Sequence, residues 1–114
     1  MSEKDPATSQ EIALALHEIS RQTDFLRDQG AEAFLGLGVD SQILQLAACQ
    51  MIIRLYAVLE DTPSDSLSGL PVREIRGMRN RLAHGYSDVD VALLWRTVDV
   101  ALPDLLSEVR RRLA

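Results

Sequence analysis

Asp40 to Glu60 reads DSQILQLAACQMIIRLYAVLE, and its apolar residues do not keep to one face. At about 100° per residue, Ile43, Leu44, Leu46, Ala47, Met51, Ile52, Leu55 and Val58 spread around most of a helix circumference. Such a helix has to be covered on more than one side, by neighbours in its own bundle or by another subunit. Asp40 is placed to cap its N-terminus. The most apolar part, Ile43 to Ile53, is interrupted by Gln45 and Gln50 and is too short to span a bilayer, so the segment reads as a core helix with no membrane role.

Working outward, Ile12, Leu16, Ile19 and Leu26 recur at helical spacing, with Ser9 placed as a cap and Gly30 as a stop, which predicts a first helix over about 9–29. The polar Met1 to Gln10 has little to bury, so residues 1–8 are expected to be a flexible N-terminus and residues 9–114 a single helical domain. After the central helix, Asp61 to Gly69 reads as a loop, and Pro71 suits the first turn of a third helix that ends at Gly85. Asp88 or Asp90 can cap a fourth, which carries Val91, Leu94, Trp95, Val98, Leu102, Leu105, Leu106 and Val109. Pro103 falls inside this pattern and should kink or split the helix. The fold class is therefore all-α, an up-and-down four-helix bundle.

Composition agrees. Of 114 residues, 46% are apolar and 25% charged, the range of an ordinary folded domain, while 4% aromatics, six glycines and four prolines are too few for a strand-rich sandwich. The single Cys49 rules out an internal disulfide or a Cys-rich zinc site, and its apolar surroundings suit a reduced, buried thiol. No basic-then-apolar leader is visible, so a cytoplasmic location is expected. A net charge of -5 repels nucleic acid at long range, so contact with it must rest on local basic charge. Pro71 to Tyr86 supplies that, with Arg73, Arg76, Arg79 and Arg81 against Glu74.

On a helical wheel this third helix turns Ile75, Met78 and Leu82 to the core and Arg73, Gly77, Asn80 and His84 to the opposite side. Asn80 and His84 are one turn apart and can hydrogen-bond, and Gly77 removes bulk where another backbone or a ligand could approach. A histidine can exchange a proton near neutral pH, and arginine offers a planar fork of donors to phosphate. Together they can activate a ribose 2′-hydroxyl and stabilise the anionic phosphorus without a metal, which points to RNA rather than DNA cleavage. Arg79 lies between the two faces, so an ideal helix does not aim it where His84 points; convergence needs unwinding at Gly85 or a second copy of the chain. The alternatives are a solvated basic face on a non-catalytic module and a helical adaptor without nucleotide chemistry. No metal or other cofactor is called for, since His17 lies on another helix and no carboxylate stands one turn from His84 on its own. Trp95, Tyr56 and Phe34 read as packing residues, and Arg110 to Arg112 as a helix C-terminus complementing its dipole.

As written, Leu70 to Asp90, LPVREIRGMRNRLAHGYSDVD, resembles the signature of the HepT-like branch of the HEPN superfamily. Its elements here are Arg79, the polar Asn80, His84 five positions after the arginine, then Gly85 and Tyr86; Pro71, Arg73, Glu74, Ile75 and Gly77 match before it, and the Leu-Pro-Asp-Leu-Leu of Leu102 to Leu106 after it. Val72 stands where such proteins commonly carry an aromatic residue, and the Glu-Ala pair of their second helix is missing between Gln50 and Ala57. The resemblance implies a helical bundle that homodimerises with its motifs facing, forming a composite metal-independent ribonuclease site. By the same resemblance Arg79, His84 and Asn80 are the catalytic residues, while Tyr86, Arg73 and Arg76 contact RNA. It further implies the toxin of a toxin–antitoxin pair, with tRNA or mRNA as substrate. The implied partner is an MntA-like nucleotidyltransferase antitoxin that transfers AMP to Tyr86. The competing role is a non-catalytic dimerisation module that docks or assists such a nucleotidyltransferase.

Overall fold

The computed structural model describes residues 7–85 and 89–114, and every regular element among them is helical. The expected loose N-terminus falls mainly on residues 1–6, and Asp88 and Tyr86 also lie outside the described residues. Helix α1 spans Ser9–Leu35, α2 Val39–Asp61, α3 Val72–Leu82, α4 Val91–Arg96 and α5 Leu102–Leu113, with a short 3₁₀ turn at Ser64–Leu67.

The cap of α1 is Thr8 rather than Ser9. Its Oγ1 accepts from the Glu11 amide at 3.1 Å while its own amide donates to Glu11 Oε2 at 2.8 Å, a reciprocal pair that needs the glutamate three residues after the cap. Gly30 breaks the helix as expected, with φ at 87°, but helix resumes after it and carries Phe34 into the core, so α1 ends at Leu35 rather than near residue 29. Asp40 does not cap α2. Gly38 occupies that position without a side-chain bond, and Asp40 lies in the first turn, where its charge complements the helix dipole.

Helix α2 sits at the centre, with α1 against one side and α3 against another. Leu16 and Ile19 from α1, Ile52 and Leu55 from α2 and Leu105 and Val109 from α5 are among the residues that close the core. The coverage of α2 is incomplete: Val39, Ile43 and Leu46 are respectively 68%, 58% and 48% exposed. Gln50 and Ala57 extend this open stripe toward the C-terminal end of α2 at helical spacing.

Pro103 does not end the last helix, which runs without a gap from α4 into α5. The backbone widens one turn earlier into a π-helical stretch at Thr97–Ala101, in which the Leu102 amide donates to the Thr97 carbonyl. Asp90 caps α4 as expected, Oδ1 accepting from the Leu93 amide at 3.0 Å.

The placement of α3 depends on the far end of the chain. Arg112 Nη1 donates to the carbonyls of Ser68 at 2.6 Å and Ser66 at 3.3 Å, tying α5 to the loop that feeds α3. Glu108 holds that arginine through a 3.0 Å bond from Nε and also accepts from Arg111. The donors of Arg111, and then of Arg112, lower the Glu108 carboxyl from 4.5 to about 2.

Two outcomes follow from this packing. Leu55→Ala removes a side chain with no exposure and should cost about 2–5 kcal/mol in denaturant unfolding. Because the Glu108 carboxyl is lowered on folding, its contribution is present above its ordinary value of 4.5 and is lost as pH falls toward about 2. Glu108→Gln should therefore unfold at lower temperature than the parent at pH 6, and the difference should close as pH falls to about 2.

Candidate functional site

The chemistry-bearing residues of α3 are distributed by how that helix ends. It stops at Leu82, and the chain then closes a tighter turn in which the His84 amide donates to the Arg81 carbonyl at 3.2 Å and the Gly85 amide to that of Leu82 at 3.1 Å. Gly85 adopts φ 121°, a left-handed value that glycine reaches without strain. His84 therefore lies beyond the regular helix that was expected to continue to Gly85. The one-turn relation to Asn80 does not extend to it. Asn80 and His84 are both exposed, and no hydrogen bond joins them among the described residues.

Arg79 goes the other way. Its guanidinium carbon sits 4.6 Å from the centroid of the Tyr56 ring on α2, a cation–π contact between a half-buried arginine and a buried ring. Among the described residues the buried Nε has no hydrogen-bond partner.

His84 instead borders a cavity of about 290 Å³ between the C-terminal end of α3 and α4, where Arg81 and Asp90 join it and Met78, Leu82 and Leu94 supply apolar wall. The structure thus brings His84, Arg81 and Asp90 together and leaves Arg79 on the α2 side. This is the divergence expected of an ideal helix, and the tighter turn before Gly85 does not remove it. Arg73 and Arg76 are exposed along α3. Tyr86 lies outside the described residues. A Cβ at Gly77 would meet nothing within 4 Å, so the open space expected there exists within the single chain.

The remaining candidates have structural partners. Phe34 and Trp95 pack with ring centroids 5.1 Å apart. His17 Nδ1 lies 3.2 Å from Arg110 Nη2, so Arg110 braces α5 against α1, and Arg111 and Arg112 are held by Glu108. Cys49 is buried, which pushes its thiol up and leaves it unreactive. Tyr56 was missed as more than a packing residue. A tyrosine on an apolar helix carries no sign of its partner, and only the crossing of α2 and α3 reveals it.

An all-α bundle carrying an Arg–Asn motif on its third helix and a histidine just past that helix's end defines a class of small helical domains with a basic face. Residues 15–112 match the family model described as Ribonuclease HepT-like, and the chain belongs to that family. It is 23% identical over 91 residues to a Methanocaldococcus jannaschii protein named "Putative RNase", a match covering 77% of this chain and 75% of the other. It is also 47% identical over 36 residues to a Thermococcus cleftensis protein named "Probable ribonuclease HepT", across 32% of this chain and 33% of that one. No solved structure matches the chain.

The Tyr56 contact is checked by the arginine side-chain amide signal in NMR. Arg79 Nε–H should exchange slowly with solvent in the parent and in Tyr56→Phe, whereas Tyr56→Leu should speed exchange by about tenfold, the equivalent of a desolvated cation–π contact. Equal exchange rates in all three proteins would show that the ring does not hold the guanidinium.

Proposed function

We propose that this chain is a metal-independent RNA endonuclease that acts as a homodimer and serves as the toxin of a toxin–antitoxin pair. The family supports the ribonuclease part. The observation that carries the dimer is the separation of Arg79, leaning on Tyr56 of α2, from His84 on the α4 side. A single chain does not form the site, and a second copy can complete it. The open stripe of Val39, Ile43 and Leu46 runs along α2 through Gln50 to Ala57, next to the tyrosine under Arg79. A partner seated on that stripe covers apolar surface and approaches Arg79 in the same step.

In the composite site His84 takes the proton of a ribose 2′-hydroxyl, and the 2′-oxygen attacks the adjacent phosphorus. The bond from phosphorus to the 5′-oxygen breaks, the leaving oxygen takes a proton from a protonated imidazole, and a 2′,3′-cyclic phosphate remains. Arg79 donates to the phosphate oxygens as negative charge grows, and its stacking on Tyr56 pre-orients the guanidinium. Asn80 orients the reacting groups across the dimer, and Arg73 and Arg76 contact flanking phosphates. Tyr86, two residues after His84, positions RNA and is the acceptor for an MntA-like nucleotidyltransferase antitoxin. There the phenol oxygen bonds the α-phosphorus of ATP, pyrophosphate leaves and the phenolic proton is released. The anionic adduct opposes RNA and neutralises nearby arginines. The same separation of Arg79 and His84 favours a non-catalytic docking module for a nucleotidyltransferase if the chain proves monomeric.

Incubation of tRNA without divalent ions should yield fragments ending in 2′,3′-cyclic phosphate. His84→Ala and Arg79→Ala should each cut at least about a hundredfold more slowly while keeping the parent's circular dichroism. The parent should have the solution mass of a dimer, and the double variant Ile43→Glu, Leu46→Glu should be monomeric and inactive. Undiminished cleavage by His84→Ala would sink the mechanism.

A further inference from the structure

Resting on the ribonuclease reading, we propose that the cavity beside His84 is a nucleobase subsite that takes the guanine of the nucleotide adjoining the scissile phosphate. At about 290 Å³ it lies at the lower end of small-ligand clefts, room for one base and not for a helix or a strand. Its inner wall is aliphatic and thioether, from Met78, Leu82, Leu93 and Leu94, a surface suited to the face of a heteroaromatic ring. Its exposed members are His84, Arg81 and Asp90, so its mouth is polar and faces the group that would handle the ribose proton.

Recognition of single-stranded RNA works by splaying a base from its neighbours, holding its face against side chains and reading its edge by hydrogen bonds. Each part has a counterpart here. The guanidinium of Arg81 can lie flat on a base or donate to a carbonyl oxygen. Asp90 uses Oδ1 to cap α4 through the Leu93 amide, and Oδ2 has no partner among the described residues. A carboxylate accepts only, so it selects a base edge carrying donors. Guanine alone among the four RNA bases presents two adjacent N–H groups on its Watson–Crick edge, with the O6 acceptor beside them for an arginine. The pairing of an acid with an arginine at one mouth therefore favours guanine over uracil, whose edge is flanked by two acceptors. The cavity is built by the short α3, which leans on α2 and leaves its α4 side open.

The test uses 2′-O-methyl hexanucleotides, which lack the attacking hydroxyl and so report binding whether or not the chain cuts RNA. A probe with one guanine among five uracils should bind the parent about tenfold more tightly than the all-uracil probe, with an abasic residue at the guanine position removing the gain. Asp90→Asn keeps a good helix cap but replaces the acceptor, and should bring the guanine probe to the affinity of the all-uracil probe. Leu93→Trp, which fills the cavity, should do the same. A guanine gain absent from the parent, or surviving in both variants, overturns the subsite. Cleavage of the unmethylated guanine probe separates the two proposals. Guanine-dependent binding without cleavage leaves the subsite standing and removes the nuclease, whereas cleavage indifferent to guanine does the reverse.

Discussion

The apolar circumference of α2 organises the molecule. A helix that is hydrophobic on most sides has to collect neighbours, and α1, α3 and, through α1, the C-terminal helix assemble around it. Helix α3 contributes little to the core, with only Ile75 and Leu82 fully buried, so it is fastened on one side and free on the other. That arrangement leaves a basic face in water and an unfilled space toward α4. Both features follow from the same economy: two buried residues suffice to dock an eleven-residue helix, and the remaining positions are released for chemistry.

Docking on α2 also decides what becomes of Arg79. A guanidinium carried into the seam between two helices has to find a partner or lose hydration, and the face of Tyr56 supplies one. The contact restricts a side chain that is otherwise rich in rotamers, which lowers the entropy still to be lost when an anion binds. A charge fixed in advance stabilises a developing phosphate charge better than one that must be recruited. Arg112 plays a complementary part from outside, since its bonds to the Ser66 and Ser68 carbonyls steady the loop from which α3 departs.

Helix number, order and core were legible because periodicity is a local property. Ile12, Leu16 and Ile19, or Leu102, Leu105, Leu106 and Val109, declare their buried face without knowledge of what covers it. Ends were less legible. Thr8 displaced Ser9 because a cap is decided by where the reciprocal glutamate falls, and Gly30 interrupts α1 without ending it because Phe34 gains enough by burial to restart the helix. Pro103 was seen as a defect at its own position, whereas the backbone absorbs it one turn earlier by widening. At the candidate site, the Arg79 and His84 pair and its divergence were readable from the wheel. The Tyr56 stack and the cavity under Asp90 were not, since each joins elements far apart in the chain.

The division of Arg79 and His84 between two sides of one helix has a mechanistic consequence. Were both groups to converge within a single chain, an isolated protomer would be an active nuclease from the moment it folded. With the two groups apart, activity in the proposed dimer depends on protomer concentration, and one symmetric interface places two imidazoles and two guanidiniums about a common axis. One imidazole can then start as base while the other starts as acid, roles that a lone histidine has to fill in sequence. In the toxin–antitoxin pairing proposed above, such an arrangement would also give the antitoxin a single point of control, because an anionic group added two residues from His84 would act on the same shared cleft from either copy. The open stripe on α2 runs on to Ala57, the residue after the tyrosine that holds Arg79, so in the proposed dimer a copy seated on the stripe comes close to the guanidinium.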